Sequence, residues 1–276
     1  MTLPERCTYT ETLLKVAHVS LSYGDKVVLR DVNAEIRNIV RPDCTQGQVV
    51  GFLGPSGIGK TQLFRIIAGL NQPTSGQVLV NSTLTPVKAG MVGVVAQNYP
   101  LFENRTIFSN LILAAKQIEK NNDTAHEKVL KYLKRLDMLD CSQLYPAQIS
   151  GGQRQRIAIA QQLLCSEHFL LMDEPFSGLD LVMEGKVCEL INEIACLDEL
   201  NTIIVVTHDV TAAATVADHL WLMGRDRDAG GNIVPGARIQ ETYDLIERDL
   251  CWHPGITNSS KFLEFVREVK ERFQTL

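Results

Sequence analysis

Apolar residues along this chain fall into two kinds of run. Some are short and continuous: Val49 to Leu53, Met91 to Ala96, Phe169 to Met172 and Thr202 to Val206. Runs of this length, without polar alternation, predict strands buried on both faces. Others repeat at helical spacing, as in Gln62 to Leu70, Ile157 to Leu164 and Glu184 to Ile194. The two kinds alternate, which predicts a mainly parallel sheet flanked by helices. The N-terminal part reads differently and predicts an antiparallel β portion. Val16 to Leu21 alternates weakly and predicts an edge strand, and Val27 to Ile36 a second strand region. Asn38 to Gln46 is polar, contains Pro42 and predicts a loop. Pro73 to Gly76 predicts a turn, followed by a short strand over Val78 to Val80.

Over about residues 98–165 helical spacing dominates. Ile107, Leu111 and Ala114 share one helix face, and Val129, Leu130, Leu133 and Leu136 stripe a second helix near Asp123 to Met138. This predicts a helical subdomain inserted into the sheet domain. Leu220 to Met223 predicts a final short strand. From Asn258 a further helix carries Phe262, Phe265, Val266, Val269 and Phe273 on one face. Packing against the domain is the expected role of that face, with a partner-binding surface as the alternative. The expected organisation is one domain over residues 12–245 and a short C-terminal helical extension over 246–276.

Composition narrows the function. The chain has 276 residues, 45% hydrophobic and 21% charged, an ordinary globular mix with enough length for a substantial core. A formal net charge of -5 gives no electrostatic reason to expect nucleic acid as a partner. The cysteines are seven (Cys7, Cys44, Cys141, Cys165, Cys188, Cys196, Cys251), an odd number with no CxxC spacing. That pattern argues against a zinc site and against a disulfide framework. The six histidines show no metal-ligand spacing. Met1 to Thr12 lacks the apolar stretch of a signal peptide, and Ile203 to Val206 is far too short to span a bilayer. If the protein serves a membrane, another chain makes the crossing.

Three local patterns carry chemistry. Gly54, Pro55, Ser56, Gly57, Ile58, Gly59, Lys60 and Thr61 fit GxxxxGK[ST], after a buried strand and before a helix. Glycines let backbone N–H groups wrap phosphates, and the helix start adds partial positive charge. Lys60 can reach the β- and γ-phosphates, and the Thr61 hydroxyl can ligate Mg²⁺. The strand Phe169 to Met172 ends in Asp173 and Glu174. Adjacent side chains on extended backbone point apart, so the pair can divide two roles. Asp173 is placed to hold Mg²⁺ through water, and Glu174 to polarise an attacking water. Ser150, Gly151, Gly152 and Gln153 open a helix with a good N-cap and bare backbone, a second anion site.

At this point the chain resembles an ABC transporter ATP-binding subunit over about residues 14–240. Ser150-Gly151-Gly152-Gln153 is similar to that family's signature motif. The resemblance implies that these four residues read the γ-phosphate of ATP held by the opposite subunit. It implies that Tyr23 stacks on adenine and that Gln97 touches Mg²⁺ and the attacking water. It further implies that Ser177 to Asp180 cross the dimer interface, that His208 contacts the γ-phosphate, and that Gln62 joins the nucleotide-contacting set. The departures are Gln62, where a second small hydroxyl residue is frequent, Ile149 for leucine, Gln161-Gln162 for arginine and alanine, and a longer loop at Asn38 to Gln46. None removes a phosphate or metal ligand.

The fold class so implied is α/β, a P-loop NTPase. The implied cofactors are ATP and Mg²⁺. The implied partners are a second ATP-binding subunit, as a homodimer, transmembrane permease subunits and, for an importer, a substrate-binding protein. The segment after Gln97, with Tyr99, Leu101 and Phe102, is the expected permease contact, although these residues suit a core equally well. The implied location is cytoplasmic, peripheral on the inner face of the cell membrane, in a bacterial-type importer of a small polar solute. Two alternatives stay open: an exporter subunit and a non-transport ATPase of the same superfamily. Against the second, the region from Gln97 to Ser150 is too short for the coiled coils of repair members, and one P-loop is present where translation members carry two cassettes. A non-catalytic regulatory subunit is disfavoured by intact Lys60, Asp173, Glu174 and His208.

Overall fold

In the computed structural model, residues 7–41, 46–96, 99–166, 168–251 and 255–276 are described, and among them ten strands join into one sheet. In chain order these are β1 (Thr8–Tyr23), β2 (Lys26–Val40), β3 (Gln48–Leu53), β4 (Ser75–Val80), β5 (Thr85–Pro86), β6 (Gly93–Val95), β7 (Phe169–Asp173), β8 (Thr202–Thr207), β9 (His219–Arg227) and β10 (Ile233–Asp244). Across the sheet the order is β5-β4-β1-β2-β10-β9-β3-β8-β7-β6. β9, β3, β8, β7 and β6 run parallel. β2, β1, β4 and β5 form an antiparallel arm. β10 joins the two parts, antiparallel to β9 and touching β2 at the Ala237–Leu29 pair.

The helices are α1 (Lys60–Ile67), α2 (Ile107–Ala115), α3 (Asn122–Arg135), α4 (Gly151–Cys165), α5 (Leu181–Ala195), α6 (Val210–Val216) and α7 (Ser260–Phe273). The continuous apolar strands are explained by their two covered faces. Val49, Leu170 and Val205 pack with Leu111, Ile157 and Ile191 from the helices on one side. Their neighbours Val50, Phe52, Leu171 and Ile204 pack with α1 and the β arm on the other. Successive side chains on a strand point to opposite faces, so both kinds of neighbour must be apolar. A third cluster joins Leu53, α6 and the buried face of α7, with Phe262, Phe265, Val266 and Val269.

Three expectations are corrected. β1 is not an edge strand: it begins at Thr8 and lies between β2 and β4. Its alternation looks weak because the register with β2 shifts between Val16 and Val19 and again before Leu21, and His18 takes φ 52. Such bulges interrupt the period of two. β2 runs on to Val40, into the stretch expected to be loop. Leu220 to Met223 is not the end of the sheet, since β9 extends to Arg227 and β10 follows it. β10 carries Pro235, Gly236, Arg238 and Glu241, a composition that reads as loop and is overridden by long-range pairing.

Two polar ties hold the arm to the central strands. The buried pair Arg41–Asp218 closes at 2.5 Å, while Asp218 also accepts the Val49 N–H at 2.8 Å. Tyr9 donates its hydroxyl to Asp244, and His219 Nε2 lies 3.4 Å from the same carboxylate. Burial acts to raise the Asp244 pKa, but hydrogen bonds from His219 and Tyr9 outweigh it and bring it down to about 2. A depressed carboxylate contributes stability above its unfolded pKa and loses it as pH falls through the folded one. Chemical denaturation should therefore show a loss of stability between about pH 4 and pH 2. Asp244→Asn should remove roughly 2 kcal/mol at pH 7 and flatten that part of the profile.

Candidate active site

β3 ends at Leu53, and the chain turns through Gly54 to Gly59 into α1. Gly59 stands at φ 120, which L side chains rarely adopt, and a Cβ there would lie 3.2 Å from Leu29 and 3.3 Å from Val28. No side chain caps α1, whose N-terminus opens onto the loop. Lys60, 8% exposed, donates from Nζ to the carbonyls of Gly54 at 2.6 Å and Pro55 at 3.2 Å. Burial lowers its pKa, and the negative charges of Glu174 and Asp173 pull it back up.

Those two carboxylates come from the end of β7. Burial raises the Asp173 pKa, Glu174 adds to the rise, and Lys60 and Arg65 oppose it. Glu174 takes φ 49, and its N–H donates to the Val206 carbonyl at 2.8 Å, tying it to β8. A non-glycine residue held in this region is strained, and such strain gathers at functional sites. Its carboxylate accepts the Thr207 hydroxyl at 3.0 Å and lies 3.0 Å from His208 Nδ1. The ends of β3, β7 and β8 thus converge on Lys60, Asp173, Glu174 and His208, the place where parallel α/β sheets keep ligands.

A cleft of about 340 Å³ opens beside the P-loop, lined by Tyr23, Val28, Gly57, Lys60, Thr61 and Gln62 among others. That is the size of a small-molecule site. The Tyr23 hydroxyl donates to Gln62 Oε1 at 3.0 Å, and Asn71 Nδ2 reaches both at 3.3 Å. Tyr23 therefore stands half-exposed with its ring orientation fixed from behind. Pro55, Ser56 and Ile58 lie on the outer side of the loop, where they line a second cavity. Gln97 lies outside the described residues.

Ser150 to Gln153 are not brought to this cleft, and none of them lines it. They start α4 with a reciprocal cap. Ser150 Oγ accepts the Gln153 N–H at 3.3 Å, and Gln153 Oε1 accepts the Ser150 N–H at 2.9 Å. A Cβ on Gly151 or Gly152 would meet nothing within 4 Å, so this helix start is bare. Asp180 caps α5 by accepting from Val182 and Met183, each at 2.9 Å. Beside it Leu181 and Val182 are 86% and 69% exposed. Of the expected permease contacts, Tyr99 and Leu101 pack on the helical core and Phe102 is exposed.

Sequence reasoning missed Asn71, Lys26 and Arg225. Lys26 had a signal, since it follows the Tyr23-Gly24 turn and pairs with Tyr23 across the hairpin. Asn71 and Arg225 had none, because each reaches the site by tertiary contact alone.

Fold and cleft define a P-loop nucleotide-binding domain. A model of the ABC transporter family matches residues 38–177, just over half of the chain, and the chain belongs to that family. It is 34% identical over 233 residues to a sulfate/thiosulfate import ATP-binding protein of Synechocystis, covering 83% of this chain and 61% of the relative. It is 36% identical to a spermidine/putrescine import ATP-binding protein of Spiroplasma citri, covering 76% of this chain and 59% of that one. The chain spans about three-fifths of the length of these relatives. Among solved structures, cbiO1 from Clostridium perfringens, part of the ABC transporter complex cbiONQ, superposes with TM-score 0.71 at 23% identity, covering 95% of this chain and 97% of that one. A dimeric ATP-binding cassette in a post-hydrolysis state with ADP and Pi gives 0.61 at 23% identity, covering 84% and 99%. Both share the fold.

Gly59→Ala tests the loop geometry directly. It should cost about 1–3 kcal/mol through backbone strain, read as a lowered denaturation midpoint with an unchanged slope.

Proposed function

We propose that this chain is the ATP-hydrolysing subunit of a membrane transporter, acting as one half of an ATP-bridged homodimer. The observation that carries it is a split site. Lys60 borders the cleft, with the carboxylates of Asp173 and Glu174 close to its charge and His208 bonded to Glu174, while the bare Ser150–Gly152 helix start lies outside that cleft, free to cap a second copy's nucleotide. Exposed Leu181 and Val182 next to Asp180 suit the same interface.

ATP binds with its adenine on Tyr23 and its phosphates in the P-loop. Its phosphates displace the Gly54 and Pro55 carbonyls from Lys60, whose ammonium then neutralises the β- and γ-phosphates. Among the described residues no group of three or more His, Cys, Asp or Glu side chains could hold a metal. Mg²⁺ needs only one or two protein oxygens plus phosphates. Thr61 and Asp173 offer hard oxygens, and Asp173, raised by burial and by Glu174, gains from a nearby cation. Bound there, Mg²⁺ would offset phosphate charge in the transition state, and the resemblance adds Gln97 to its contacts. Glu174, held by Thr207 and His208, orients or deprotonates the attacking water, and His208 holds the γ-phosphate. Ser150, Gly151, Gly152 and Gln153 of the second copy close the site. Loss of the bridging phosphate lets the dimer open, which drives transport.

Residues 12–245 form the working domain, and the helical part over about 98–165 carries the contact with permease subunits, Phe102 included. Residues 246–276 add a short helical extension. Among the described residues no helix is long and apolar enough to cross a membrane, and in this reading the crossing belongs to the permease chains. The place of action is the cytoplasmic side of the cell membrane, peripheral on its inner face. Relatives named for sulfate/thiosulfate and for spermidine/putrescine import support an importer of a small polar solute with a substrate-binding protein.

Glu174→Gln should keep ATP binding while turnover falls by about a hundredfold or more. The same variant with Mg-ATP should run as a dimer in size-exclusion chromatography. Adding Ser150→Arg should return it to a monomer that still binds ATP. Full turnover in Glu174→Gln, or a monomer under trapping conditions, would refute the composite site.

A further inference from the structure

We propose that Arg225 is a nucleotide-contacting residue, a fixed cation that grips the phosphates beside the ribose. This rests on the nucleotide reading of the cleft and extends it to a strand outside the family's motifs.

Strand length brings Arg225 to the P-loop. β9 runs parallel to β3, and Leu53–Leu222 is their last pair. There β3 gives way to the P-loop, but β9 continues to Arg227. Its next residue, Met223, lies directly against the loop. A Cβ on Gly54 would stand 3.0 Å from the Met223 carbonyl, and one on Gly59 would stand 3.5 Å from Met223 Cε. Residues two apart on a strand share a face, so Arg225 and Arg227 climb the same side of the loop. Arg225 lines the cleft that holds Tyr23 and Lys60. It also lines the outer cavity, of about 160 Å³, with Ser56 and Arg227. Arg227 borders only the outer cavity. On its other side Arg225 pairs with Ala237, which pairs with Leu29 of the hairpin that carries Tyr23. A small, fully buried residue there leaves the arginine room towards the cleft.

Arg225 is half-buried and makes no ion pair among the described residues. The adjacent carboxylate, Asp226, is engaged by Arg30 and Arg238. The cleft lining contains Lys26, Lys60 and Arg225 and no carboxylate. Arg225 is thus a partly desolvated cation without a counter-ion, which is costly, and an arriving polyanion relieves that cost. Lys60 serves the β- and γ-phosphates. The Gln62 amide oxygen is turned to Tyr23 and Asn71. Between base and β-phosphate the cleft offers Lys26, which is exposed, and Arg225, which is half-buried and so held in place, and a guanidinium matches phosphate oxygens two at a time.

The test is calorimetric titration of the full chain with ADP, each variant's fold being checked by its denaturation midpoint. Arg225→Gln should weaken ADP binding about tenfold, Arg225→Lys should recover part of the loss, and the salt dependence of binding should become shallower. Arg227→Gln should stay within about twofold, because it changes the same charge without reaching the cleft. If Arg225→Gln and Arg225→Lys both bind ADP as the parent does, or if Arg227→Gln loses as much as Arg225→Gln, the contact does not exist. A parent chain that binds no ADP would overturn the nucleotide reading itself, and this inference with it. Binding by the parent that is abolished by Lys60→Ala but indifferent to Arg225 would overturn this inference alone.

Discussion

The geometry of the site depends on one ammonium group held where parallel strands stop. β3, β7 and β8 are buried on both faces, so their polar chemistry can gather only at their ends. β3 delivers Lys60 through a turn that only glycine can make at φ 120, and β7 delivers Asp173 and Glu174 opposite. Burial weakens the hold of Lys60 on its proton, and the two carboxylates offset part of that loss. Without phosphate, the ammonium is satisfied by loop carbonyls, so the loop keeps its shape around the cation.

The site is also held slightly out of rest. Glu174 takes a left-handed backbone while its N–H is anchored to β8 and its carboxylate is tied to Thr207 and His208. Three groups from two strand ends are thereby coupled in one network, and moving any of them moves the others. The cap that would complete the chemistry is absent from this cleft. In the proposed dimer, one chain would contribute to two half-sites facing different neighbours.

Much of this is legible in the sequence because its signals are local. The P-loop, the acid pair after Phe169 to Met172 and the Ser150 cap each lie within a few consecutive residues, and each type is dictated by phosphate or by a helix end. What stays hidden depends on partners distant in sequence. β1 reads as an edge because its bulges blur the alternation, and the pairing that makes it central comes from Ser75 to Val80. β10 is invisible because Pro235, Gly236 and its charges resemble a loop, and only β9 makes it a strand. Asn71 and Arg225 escape for the same reason, since nothing near either residue in the chain points to a nucleotide.

The open helix start at Gly151 and Gly152 has a wider implication. A methyl group there would touch nothing in this chain, so folding neither needs those glycines nor objects to losing them. On the proposed composite site, their role lies in assembly rather than in folding. The chain can accordingly accumulate stabilising changes elsewhere without retuning the cap, and the cap can drift without warning from stability. Screens that read folding in isolated chains would score this stretch as silent, although in the proposed dimer it is the part addressed to another copy.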